Sequence, residues 1–237
     1  MLSKNPTTPG PDTAPPQALS WSARTADQLA FVISAVASPF LVLPLFAAIV
    51  TAHHASTPLD FLWWGAIAVF CSTGLPFLYI FIGTRTGRIT DLHVMRRDQR
   101  GGPFLVALLS SSLGALLLYW IGAPRQMVAL GVAIVANGLA FGLITLRWKI
   151  SMHPSVLTAS ALASALLVDH RFAAVLLLLP AVVWARVRRT RHSVLQGCTA
   201  ILVAAGVTLG VLWAFGCGSP APDAVAATST LAAPLGG

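Results

Sequence analysis

The feature that most constrains this chain is a series of seven apolar runs, each interrupted by a short polar segment where basic residues collect. Crossing a hydrocarbon core of about 30 Å takes roughly 20 helical residues. Runs of about that reach lie at 28–50, 61–83, 103–121, 126–146, 154–168, 171–185 and 194–216. The fifth and sixth are short, and form either steeply bounded helices or helices that borrow residues from VDHR at 168–171. In lipid every backbone polar group must be satisfied inside the segment, so such runs predict helices. Composition agrees: 56% of the 237 residues are hydrophobic, 9% are charged and none is Glu, whereas a soluble domain carries about a quarter charged residues.

The predicted fold is therefore all-α, a polytopic membrane helix bundle of about six to seven transmembrane helices over residues 25–216. The first 24 residues, with PTTPGPDTAPP, and residues 217–237 are small, polar and Pro-rich, and predict disordered tails. Trp21, Trp63, Trp64, Trp120, Trp148, Trp184 and Trp213 all fall near predicted helix ends, where indole keeps its ring half buried and its N–H wet. Cys71, Cys198 and Cys217 imply no disulfide framework.

Charge gives the runs an orientation. Because loops alternate sides, the N-terminal tail and the segments 84–102, 147–153 and 186–193 share one face. That face holds 13 of the 15 Lys and Arg residues, leaving only Arg125 and Arg171 for the other. The positive-inside rule accounts for the bias in number and predicts a multi-pass protein of the cell membrane with this face in the cytoplasm. It does not account for the histidines set among the arginines.

Three basic segments carry such a histidine at a definite spacing. In DLHVMRRDQRGGP, His93 precedes Arg100 with six residues between; RWKISMH places Lys149, Ser151 and His153 at a helix start. In ARVRRTRHSVLQ, five residues separate Arg186 from His192, and Gln196 follows His192 by four. Two runs lie between successive segments, so all three meet on one membrane surface.

In order, spacing and shared face these segments resemble the three motifs of the type 2 phosphatidic acid phosphatase superfamily, membrane phosphatases that act on lipid-linked phosphates. The family reads Lys, six residues, Arg-Pro; then Pro-Ser-Gly-His; then Ser-Arg, five residues, His, three residues, Asp. The resemblance covers about residues 60–216. It implies a phosphate site of Arg100, Arg186, Lys149, His93 and Ser151, with His192 as nucleophile forming a phosphohistidine and His153 as general acid. Guanidinium forks suit phosphate oxygens, and apolar helices beside them would leave a lipid tail in the bilayer. The implied partners are the bilayer and a lipid phosphate or prenyl diphosphate, with no nucleic acid and no cofactor.

Departures from the motif have consequences of their own. Gln196 stands where the family has Asp; its carbonyl can accept an imidazole N–H from the same helix face but supplies no charge. His93 in place of Lys makes one phosphate donor pH-sensitive. Ala185 in place of Ser removes a hydroxyl, and Ile150 and Met152 replace the Pro and Gly that flank the second motif.

Two further chemistries stay open. Asp91 and Asp98, seven apart, would share a helix face and could hold Mg²⁺ against a prenyl diphosphate, leading to transfer or cyclisation; otherwise they pair with Arg88, Arg96, Arg97 or Arg100. A relative that binds a lipid anion without hydrolysing it is the other. Elsewhere, His53 and His54 read as an exposed loop pair, Asp169-His170-Arg171 as a polar turn, and Ala200, Ala204 and Gly210 as close helix-packing positions.

Overall fold

The computed structural model describes residues 21–90, 99 and 101–217, and these are helical apart from short connections. The tail segments 1–20 and 218–237 lie outside the described residues. The helices are α1 (Trp21–Val36), α2 (Pro39–His54), α3 (Pro58–Val69), α4 (Leu75–Arg85), α5 (Gly101–Trp120), α6 (Arg125–Arg147), α7 (Met152–Leu167), α8 (Leu179–Arg188) and α9 (Val194–Ala214). Helix α1 begins within the segment expected to be tail.

Prolines explain where expected single spans divide. The first run becomes α1 and α2, bent by 44°. Ser38 is extended at ψ 136°, as the residue before Pro39 must be to clear the proline ring. The second run stays continuous from Pro58 to Arg85, but Phe70–Gly74 widens into a π turn. Pro76 cannot donate the bond that would reach Ser72, and the wider turn absorbs the missing link. The sixth run opens as a 3₁₀ helix, His170–Leu178, that continues into α8. The larger 3₁₀ rise stretches these 19 residues to about 33 Å, so the run that looked short has spanning reach.

Among the described residues five helical stretches are long and apolar enough to cross a membrane, or six with the bent α1–α2 pair taken as one. The remaining expected span, α7, has 16 residues, about 24 Å of helix. Its position differs from the others as well: nine of its 16 residues are buried, and α2, α8, α9 and the 3₁₀ segment pack around it. A helix enclosed by protein does not need to match the bilayer thickness. Its buried face is made of small residues and hydroxyls, which let neighbours approach closely. Thr158 and Ser155 return their hydroxyls to the carbonyls of Pro154 and Met152 at 2.7 and 2.8 Å, which satisfies them inside the helix.

Two core clusters fix the ends. Toward the α7 C-terminus, Val50, Leu118, Met127, Leu130, Leu167 and Leu212 pack together. Toward its N-terminus, Phe141 of α6 and Ile150 meet Ala200 and Ala204 of α9. Ala200 and Ala204 are fully buried, as their size predicts, whereas Gly210 faces open space and packs against nothing. Gly142 is required: a side chain there would run into the ring of Phe104.

Candidate functional site

At the basic end the start of α7, the end of α8 and the start of α9 come together. Ile150 lies against Ala200 of α9, and a methyl group on Gly197 would stand 3.0 Å from the Val183 side chain of α8. Sequence positions 151, 186 and 192–197 are thereby drawn to one region.

Helix α8 ends in a tight reversal. The amides of Arg191 and Thr190 donate to the carbonyls of Arg186 and Val187 at 3.1 and 2.8 Å, the paired bonds of a Schellman ending. The residue that must turn left-handed is Thr190, at φ 52°. A β-branched residue in that region is strained, and glycine is the usual occupant. This strained turn sets the reach from Arg186 to His192.

Helix α9 opens with a capping box. The Ser193 hydroxyl accepts the Gln196 amide, and the Gln196 side-chain oxygen accepts the Ser193 amide, both at 3.2 Å. The same oxygen lies 3.2 Å from His192 Nδ1. The Ser193 N–H fixes which end of the Gln196 amide faces it, because an NH₂ group there would oppose donor to donor. Gln196 Oε1 can then only accept, so Nδ1 of His192 carries a proton. Ser-x-x-Gln before an apolar run is a legible helix-start signature, and sequence reasoning passed over it by treating Gln196 only as a replaced Asp.

Ser151 and Arg186 differ from the other described site residues in what they lack. Ser151 is fully buried and its hydroxyl has no hydrogen-bond partner; Arg186 Nε is also buried without an acceptor. Ser151 occupies the N-cap of α7 yet makes no capping bond. One of the two amides a cap can reach is missing, because the third helical residue is Pro154. Among the described residues Arg186 has no carboxylate beside it; its charged neighbours are Arg191 and Arg189. Unsatisfied groups of this kind cost about 1–3 kcal/mol each, and a bound anion would satisfy both types.

The remaining predicted residues are placed less sharply. His153 is half-buried in the first turn of α7, and Lys149 is exposed on the preceding connection. His93 and Arg100, and the aspartates Asp91 and Asp98 of the Mg²⁺ alternative, lie outside the described residues. At the ends of that segment Gln99 draws the connection together, accepting the Thr90 amide and hydroxyl at 3.0 and 2.9 Å.

Arg188 and Arg189, two of the basic residues on the positively charged face, have partners on α1. Arg188 Nε donates to Asp27 at 2.8 Å, and the Arg189 guanidinium lies 5.0 Å above the Phe31 ring. Nothing local in the sequence marks Asp27 as a partner for a residue 161 positions away.

At the opposite end the histidine pair is not a loop. His53 and His54 form the last turn of α2, and His54 Nε2 donates to the Leu167 carbonyl at 2.9 Å, tying α2 to the end of α7. Asp169 is a helix cap: its carboxylate accepts the Arg171 amide at 2.8 Å, and that bond holds its carboxyl below the usual range.

Comparison with family models, with curated proteins and with solved structures finds no match. The resemblance to membrane lipid phosphatases therefore rests on the three sequence motifs alone.

Proposed function

We propose that this protein binds and hydrolyses a lipid-linked phosphate or diphosphate, of prenyl or phosphatidyl type, at the basic end of its bundle. One observation carries this reading: Ser151 Oγ and Arg186 Nε are buried there without partners, at the end where His192 is held with its proton on Nδ1. Arg186 would grip non-bridging phosphate oxygens, aided by Lys149 and, as the first motif implies, by His93 and Arg100. The Ser151 hydroxyl would donate to another oxygen. The lipid tail would stay among the exposed apolar faces of the helices.

Chemistry follows from the neutral tautomer with this proton on Nδ1. Nε2 of His192 attacks phosphorus, the bond from phosphorus to the leaving oxygen breaks, and His153 delivers a proton to that oxygen. Water then attacks the phosphohistidine, returning its proton to His153 and releasing phosphate. Charge stabilisation by the guanidinium in a water-poor site supplies the largest share of the rate. The excess of Lys and Arg supports a cytoplasmic face for the site.

The test is release of inorganic phosphate from a prenyl diphosphate or phosphatidate in EDTA. His192→Ala should cut the rate by roughly 10³–10⁴; an unchanged rate would sink the proposal.

A second reading is favoured by Gln196, whose oxygen is shared between the Ser193 and His192 N–H groups and carries no charge to support a positive imidazole. On that reading the pocket holds a lipid anion without turnover. Phosphatidate binding lost in Arg186→Ala, with no phosphate released by the unaltered protein, would select it.

A further inference from the structure

At the opposite end of the bundle, Asp60, Trp63, Trp64 and Ile67 of α3, together with Ile121 just beyond α5, line an open groove of about 320 Å³. The four α3 positions are spaced three, four and seven residues from the first, so they form one stripe. The stripe is graded. It begins with a carboxylate in the first helical turn, passes two indoles, and ends about 10 Å further along the helix at an aliphatic side chain.

The carboxylate is only partly used. Both bonds that its carboxylate accepts fall on one oxygen, Asp60 Oδ2, from the Thr57 amide and hydroxyl at 3.0 and 2.9 Å. Among the described residues no Lys, Arg or His forms an ion pair with it; the pairs present join Arg188 to Asp27 and His170 to Asp169. Trp63, although it sits beside the groove, is 62% exposed.

We propose that this groove binds one phospholipid through a cationic ammonium headgroup. Two physical arguments select this occupant. A carboxylate beside two indoles complements an ammonium, which an indole face attracts through its quadrupole. The gradient from Asp60 to Ile67 complements an amphiphile: the charged end meets the head and the aliphatic end meets the glycerol and first methylenes of a tail. A free ammonium ion would leave the lower half of the groove unfilled. The site is at the other end of the bundle from Arg186 and His192, so it stands or falls independently of the phosphatase reading.

The experiment uses the full chain in mixed micelles holding equal phosphatidylethanolamine and phosphatidylglycerol, with retained lipid counted by native mass spectrometry. The expected result is one retained phosphatidylethanolamine, preferred about tenfold. Asp60→Asn, which keeps an acceptor for the Thr57 amide, and Trp63→Leu should each abolish that preference. Trp120→Leu, an exposed indole at the same end but outside the groove, should preserve it. Equal retention of the two lipids would overturn the proposal, as would a preference that survives both groove variants. Loss in Trp120→Leu matching that in Trp63→Leu would reduce the indoles to ordinary interfacial anchors. Displacement by millimolar choline would replace the lipid with a soluble ammonium compound and overturn the assignment equally.

Discussion

The chain starts two helices with the same device at opposite ends of the bundle, and the two copies have different surroundings. Thr57 and Asp60 open α3 with a capping box whose acceptor is a carboxylate. Ser193 and Gln196 open α9 with one whose acceptor is a neutral amide shared with His192. Around the first, His54 meets the Leu167 carbonyl and Asp169 caps the helix after it, while the Ser164 hydroxyl of α7 is left buried without a partner. Around the second, Ser151 and Arg186 each leave a buried polar atom unsatisfied, and Thr190 is bent into a left-handed conformation. A scaffold satisfies its buried polar groups because leaving them open costs stability. Open groups also occur at Ser34, Asn137 and Ser164, so what sets the basic end apart is the pairing of an open hydroxyl with an open guanidinium nitrogen.

The largest effect is expected from making the two boxes alike. Gln196→Glu keeps an acceptor at the third helical position, where Glu is favoured, and puts a negative charge beside the His192 imidazole. If the site hydrolyses, phosphate release should rise about tenfold, equivalent to about 1.4 kcal/mol of barrier. No change in rate, with the fold intact, would mean that the amide already holds the ring as well as a charge would.

Next in size is the cost of the open site itself. Arg186→Met removes a guanidinium with a buried unsatisfied Nε and two like-charged neighbours, so the ligand-free protein should gain about 1 kcal/mol. Arg188→Met loses the Asp27 pair and should lose up to about 1 kcal/mol, as is usual for partly exposed pairs. Thermal unfolding in detergent measures both; a loss of stability in Arg186→Met would show that the residue is structural.

The smallest effect concerns the turn between them. Thr190→Gly relieves the left-handed strain and should stabilise by about 1 kcal/mol, offset in part by the added freedom of glycine when unfolded. If the strain positions His192, the same variant should slow phosphate release while raising the melting temperature, so both should be read on one preparation.

How much of this was legible beforehand depends on the kind of feature. The apolar runs located every helix to within a few residues, apart from α1 and α2, because each helix satisfies its backbone within its own length. Proline positions could have announced the break at Pro39 and the widened turn before Pro76, since the missing N–H is a local fact. The Ser193–Gln196 box was equally local and was hidden by the motif reading laid over it. The Asp27–Arg188 bond was not legible, because no short-range pattern joins positions 161 apart.

The sequence by itself determined that this is a helical chain with spans long and apolar enough for a bilayer, and that its positive charges gather at one end of them. Hydropathy and charge belong to each segment separately, so they survive without knowledge of neighbours. Only the tertiary structure decided that α7 is the enclosed helix. The same is true of the sealing of the Ser151 hydroxyl and of Arg186 Nε, and of the partners that α1 supplies to Arg188 and Arg189. The physical reason is that these helices are apolar nearly all round: when both lipid and protein interior welcome the same side chains, composition cannot say which face turns inward, and packing alone makes the choice.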